Sequence, residues 1–200
     1  MLPSSMRAGG FAPGPGRVRT RGFSLVELTA ALLIAGLVVA IAVPNFRSMI
    51  LSNRLTTTAN QVVDAINMAR VEAVKRNSRV QLCSDSASAN TTGTTDLQGN
   101  QCGTNVGGVV ALSADTQGTL TAQTVADGID SIATPLQISG NLKPLRFNGQ
   151  GVGMAIGAVA PYSGDIVDIC TRRLSTDNHR IVRIDAGSTV SVRTETKDCS

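Results

Sequence analysis

The residue with the most chemical consequence is a glutamate. It stands in Arg21-Gly22-Phe23-Ser24-Leu25-Val26-Glu27-Leu28, ahead of an uncharged run from Leu28 to Val43 and then Pro44. A carboxylate inside a segment apolar enough for lipid costs about 2.5–3.5 kcal/mol near a bilayer centre, so it demands a positive partner. No cation lies within the run, and the partner must come from elsewhere.

The other reactive side chains form no catalytic set. His179, the sole histidine, sits between Asn178 and Arg180 at a turn-to-strand junction, with no cysteine or serine motif around it for nucleophilic catalysis. A solvent-facing or turn histidine is expected. The carboxylates are dispersed, without an acid and base pair. Gly149, Gly151 and Gly153 lack the directly following helix and the fixed positions of a phosphate cradle, and read as turn. Neither an enzyme activity nor a cofactor is indicated. Cys83, Cys102, Cys170 and Cys199 contain no C-x-x-C pair and lie near no histidine cluster, so their spacing carries no zinc motif. Four cysteines allow three disulfide connectivities. Cys83 with Cys102 and Cys170 with Cys199 are preferred, because each closes a local loop and the second pins the chain end; each contributes about 3 kcal/mol on the loop-entropy estimate.

The run Gly22-Phe23-Ser24-Leu25-Val26-Glu27, with a basic residue before it, an apolar helix after it and Pro44 beyond, resembles the processing site of type IV pilins and of the pseudopilins of type II secretion. The resemblance implies cleavage after Gly22 by a prepilin peptidase and N-methylation of Phe23. It also implies that Glu27 pairs with the terminal amine of a neighbouring subunit, which supplies the missing cation. A different reading stays open. A basic leader, an apolar run and Ala40-Ile41-Ala42 also resemble a secretory signal cut after Ala42.

Two hundred residues with 42% hydrophobic content suffice for one modest core, and with only 2% aromatics that core must be aliphatic. Stacking platforms for single-stranded nucleic acid are correspondingly disfavoured. The net charge of +4 belongs to the leader: Arg7, Arg17, Arg19 and Arg21 precede the cut, and without them fourteen basic side chains face fourteen acidic ones. A basic segment ahead of an apolar helix stays cytoplasmic, which puts the bulk of the chain across the membrane after a single pass; the resemblance implies that this is the inner membrane, with the bulk in the periplasm.

These features divide the chain into a leader (1–22), a membrane-spanning helix (23–44), an amphipathic spine (45–78) and a β-rich domain (79–200). Residues 1–21, with Gly9-Gly10 and Pro13-Gly14-Pro15-Gly16, contain little that could pack. About 20 apolar positions span a bilayer, and Ser24 to Val43 with Phe23 supplies that length. Pro44 is expected to bend or locally open the helix. Beyond it, Leu55, Ala59, Val62, Ile66, Ala69 and Ala73 recur at steps of four and three. They draw one apolar stripe, with Arg54, Asp64, Arg70 and Lys75 largely off it and a helix end at Asn77-Ser78. The spacing then predicts strands at 79–83, 107–113, 119–125, 136–139, 142–147, 165–170, 179–184 and 189–193, with 84–105 a long polar loop. The class is α+β, a long N-terminal helix on an antiparallel β domain.

The order of elements near the carboxy terminus resembles the soluble domain of H-type pseudopilins and their pilus relatives. This implies a minor pilin or pseudopilin of the GspH/FimT type, with other pilin subunits, the peptidase and the membrane as partners. Type IV pilus and type II pseudopilus both remain open, the disulfide-bearing terminus tilting toward the pilus. Some relatives bind DNA in natural transformation through a glycine-arginine-x-arginine motif. The matching turn here is Gly187-Ser188-Thr189-Val190, without either arginine. The remaining candidates for DNA contact are Arg172, Arg173, Arg180, Arg183 and Arg193.

Overall fold

The computed structural model describes residues 22–200. The leader expected over residues 1–22 lies, apart from Gly22, outside them. The chain divides into two compact units, one ending at Val43 and the other Pro44–Ser200.

Helix α1, Leu25–Arg76, contributes to both. It does not stop at residue 44, so a simple helix end there is excluded. In the first unit every residue from Gly22 to Val43 is exposed. In the second, the apolar stripe is the centre of the core: Leu55, Ala59, Val62, Ile66, Ala69 and Ala73 are all at 0% exposure. The small Ala59, Ala69 and Ala73 let backbone approach sheet closely, while Leu55, Val62 and Ile66 fill the wider space. The helix closes at Arg76, where Lys75 and Arg76 suit the negative end of the dipole and Asn77 takes a left-handed φ of 46°.

Two antiparallel sheets cover that stripe. The first joins β1 (Val80–Leu82), β2 (Val109–Ala114), β3 (Leu120–Ala126), β5 (Leu145–Phe147) and β6 (Gly153–Ala155) in the order β3-β2-β1-β5-β6. The second joins β4 (Gln137–Ile138), β7 (Gly164–Cys170), β8 (His179–Asp185) and β9 (Thr189–Glu195) in the order β4-β7-β8-β9. Val80, Leu82, Val109, Ala111, Leu145 and Phe147 of the first sheet pack with Val167, Ile169, Val182 and Ile184 of the second in one cluster around the helix. Phe147 is the one aromatic ring in that buried cluster, in keeping with an aliphatic core.

Two expectations need correction. The tract 84–105 is not simply a loop: it folds as α2 (Ala87–Asn90) and α3 (Leu97–Cys102). Polar side chains do the work that apolar periodicity does elsewhere. Asn90, fully buried, bonds the backbone of Ser84 and Gly103, and Gln98 Nε2 donates to the carbonyls of Arg79 and Val110. Asp96 caps α3 and pairs with Arg146 of β5. Burial works to raise the Asp96 carboxyl, but Arg146 and the N–H groups of Thr92 and Gly99 outweigh it and hold it below its usual range. The second correction is β6, which emerges from the glycine-rich stretch expected to be turn throughout. Its Gly153 N–H donates to Gly187 O at 2.8 Å.

Candidate functional site

Three places carry the residues singled out in the sequence. The first is the start of α1. Gly22, Phe23 and Ser24 are non-helical, and the helix begins where Leu28 N–H reaches Ser24 O at 3.0 Å. The Gly22–Phe23 bond therefore lies in exposed, non-helical chain, with Phe23 80% exposed. Glu27 follows in the first helical turn, where a carboxylate suits the positive end of the dipole, and has no ion-pair partner among the described residues. From here the helix presents a window of mean hydropathy 2.5 with none of it buried, long and apolar enough to cross a membrane.

The second place is the outer face of the second sheet. Register puts Cys170 opposite His179, and His179 opposite Glu195. Contrary to expectation, His179 is at 0% exposure. Its Nδ1 lies 2.8 Å from Asp168 Oδ1 and its Nε2 3.1 Å from the Lys197 carbonyl. The segment after β9 folds back over this corner. Asn178 grips the Lys197 backbone at both N–H and carbonyl, Arg172 Nε donates to Cys199 O at 2.9 Å, and the Cys170–Cys199 disulfide completes the attachment. The Lys197 ammonium bonds Asp168 at 2.8 Å, which raises it above the ordinary lysine value. The other disulfide joins Cys83 to Cys102, tying the end of α3 to β1.

The third place is the arginine-rich end, and it does not form one basic patch. Arg180 is only 7% exposed, because strand alternation puts it on the inner face with Val182 and Ile184. Its guanidinium reaches the helix at Ser52 Oγ and Thr56 Oγ1 and bonds the Asp177 and His179 carbonyls. Arg180 is therefore withdrawn as a DNA contact. Arg183 and Arg193 lie on the outer face but share Asp165, at 3.3 Å each, with Asp185 and Glu195 as further partners. Arg172 and Arg173 are exposed on the β7–β8 connection. Arg70, expected to lie off the apolar stripe, is half-buried and donates to the Ser188 carbonyl. The turn it holds needs glycine at 187: φ is +66° and an added Cβ would meet the Gly153 backbone.

The long helix with two antiparallel sheets laid over its second half has a counterpart among known families, since the family model described as type II transport protein GspH matches residues 58–188. The chain belongs to the GspH family. The match begins inside the stripe-bearing part of α1 and ends at the Gly187-Ser188 turn. No curated protein and no solved structure matches the chain.

Alternation along β8 was the signal that separates Arg180 from Arg183, and it was readable from the sequence. The contacts of His179 were not readable there, since Asp168 and Lys197 reach it only through strand register and the returning segment.

Proposed function

We propose that this GspH-family chain is a structural subunit of a type II secretion pseudopilus. It is made as a prepilin, cut after Gly22, methylated at Phe23, and held by α1 in the inner membrane with its β domain in the periplasm until assembly. The observation that carries the reading is the state of the first half of α1, an apolar helix left exposed, with a carboxylate at Glu27 that has no ion-pair partner among the described residues. In lipid that surface is satisfied, and in a filament the helices of other subunits replace the lipid while a neighbour's cationic terminus meets Glu27. The exposed Gly22–Phe23 bond suits a peptidase, and Pro44 marks where the membrane segment gives way to the spine. The family description favours the secretion pseudopilus over the type IV pilus toward which the disulfides tilted.

Intact-mass analysis of the mature chain tests this. A chain starting at methylated Phe23 is expected; one starting at Val43 would show a secretory cut and end the proposal. Nucleic-acid binding is not proposed, because Arg180 is buried and Arg183 and Arg193 are neutralised by adjacent carboxylates.

A further inference from the structure

Sheets end in edges, and an edge strand leaves a row of main-chain N–H and C=O groups without a partner. The two sheets have β3 and β6 at the edges of the first and β4 and β9 at the edges of the second. Three of these are guarded. Strand β4 is only two residues long. The outer side of β6 is closed by the chain itself, through the bridge between Met154 and Pro161 and the bond from Gly153 N–H to Gly187 O. Strand β9 carries Arg193 and Glu195, with Lys197 just beyond, joined as ion pairs. Strand β3 has no such guard. Its seven residues, Leu120-Thr121-Ala122-Gln123-Thr124-Val125-Ala126, include no charge and no proline, and β2 is their one strand partner among the described residues. We propose that β3 is an assembly edge, pairing antiparallel with β3 of a second copy of this chain about a two-fold axis at Ala122.

Register fixes that geometry. Leu112 N–H bonds Arg79 O and Asp115 N–H bonds Thr119 O, so alternation turns the main-chain groups of Ala111 and Ser113 toward β3, where they face Gln123 and Thr121. The N–H and C=O groups of Leu120, Ala122 and Thr124 therefore point out from the edge. The ladder runs unbroken from Leu120 to Thr124 and shifts at the bulge beyond, so the regular run is centred on Ala122.

Turned about that centre, the run meets itself in phase. Ala122 faces the second copy's Ala122, Leu120 faces its Thr124, and each facing pair exchanges N–H···O bonds. A methyl group at the axis leaves room for its own image. Thr121 faces Gln123, so no like charges are opposed, and Leu120, 54% exposed, gains a threonine methyl as cover. Arg76, which donates to Gln123 Oε1 at 3.4 Å, is neutralised by Glu72 at 2.7 Å. This match of the edge with itself, in phase and in charge, selects a second copy over an unrelated strand. One strand edge buries far less than the roughly 1,200 Å² of a stable interface, so the contact is weak between dilute chains and takes effect where copies are gathered side by side. It does not depend on how the first half of α1 is used.

Cross-linking of the full chain in detergent reads the pairing, because the native cysteines are all in disulfides and an added one is the only free thiol. Oxidised Ala122→Cys should form covalent dimers, and a mixture of Thr121→Cys with Gln123→Cys chains should cross-link in preference to either alone. Val192→Cys, on the guarded β9 edge, should stay monomeric. Dimers absent from Ala122→Cys, or equally abundant through Val192→Cys, would overturn the proposal, as would an Ala122→Cys adduct in cell membranes made solely with a different protein. A charge exchange gives a second reading. Adding Thr121→Glu and Gln123→Glu to the Ala122→Cys chain should lower the dimer yield about fivefold, and mixing in a chain with Thr121→Lys, Gln123→Lys and Ala122→Cys should restore it. A yield indifferent to these charges would refute the pairing.

Discussion

The two halves of α1 carry the same aliphatic side chains in different company and meet opposite fates. From Leu25 to Val43 the helix is Leu, Ile, Val and Ala apart from Glu27, Thr29 and Gly36, and every residue is exposed. From Leu55 to Ala73 the apolar residues narrow to a stripe, and all of it is buried against sheet. An apolar face that repeats at steps of three and four can be covered by the chain's own strands. A helix apolar all round needs a different solvent, lipid or many neighbouring helices. The folding stability of this protein therefore resides in the stripe-bearing half, while the other half is, in the function proposed above, left for membrane and assembly.

The strongest test of that contrast is a matched pair of truncations. Ile66→Ala, in the buried stripe, should cost about 2–5 kcal/mol in denaturant unfolding of the detergent-solubilised chain, whereas Leu33→Ala should leave the β domain within about 0.5 kcal/mol of native. Equal losses at the two positions would break the comparison. Next in size, replacing both Cys83 and Cys102 by alanine should cost about 3 kcal/mol, since the bridge closes a loop of sequence separation 19 on the domain side of the helix.

Smaller and pH-dependent is the Asp96–Arg146 pair. Asp96→Asn should cost about 1.5–3 kcal/mol near neutrality. Because the folded carboxyl lies below its ordinary value of 3.8, its contribution is complete above that value and disappears as pH falls through the folded one. Native and Asp96→Asn chains should thus converge in acid. A gap that persists well below pH 3.8, tracked by circular dichroism, would mean that Asp96 acts through shape and not charge.

How far the fold was legible follows the same division. The stripe was readable position by position because a helix packed on sheet is patterned by its own period. The long strands of the second sheet were readable for the same reason, and the two preferred disulfide pairings coincide with the bridges in the structure. The helices α2 and α3 were hidden because polar bonds from Asn90, Asp96 and Gln98 to distant backbone hold them, and such bonds leave no periodic trace. His179 was misjudged because its neighbours in sequence are polar, while its neighbours in space arrive across the β7–β8 ladder and from the returning segment. Arg180 was legible in principle, because alternation along β8 assigns it to the same buried face as Val182 and Ile184.

The account depends most on Glu27 and on what meets it when lipid is exchanged for other subunits. The direct measurement is incorporation of Glu27→Gln into filaments beside the native chain, scored as the ratio of the two in purified fibres from cells expressing both at equal membrane levels. Pairing with a neighbour's cationic terminus predicts that the glutamine chain accumulates in the membrane and falls at least tenfold behind in the fibre. Equal incorporation would contradict it, and the carboxylate would then need another explanation.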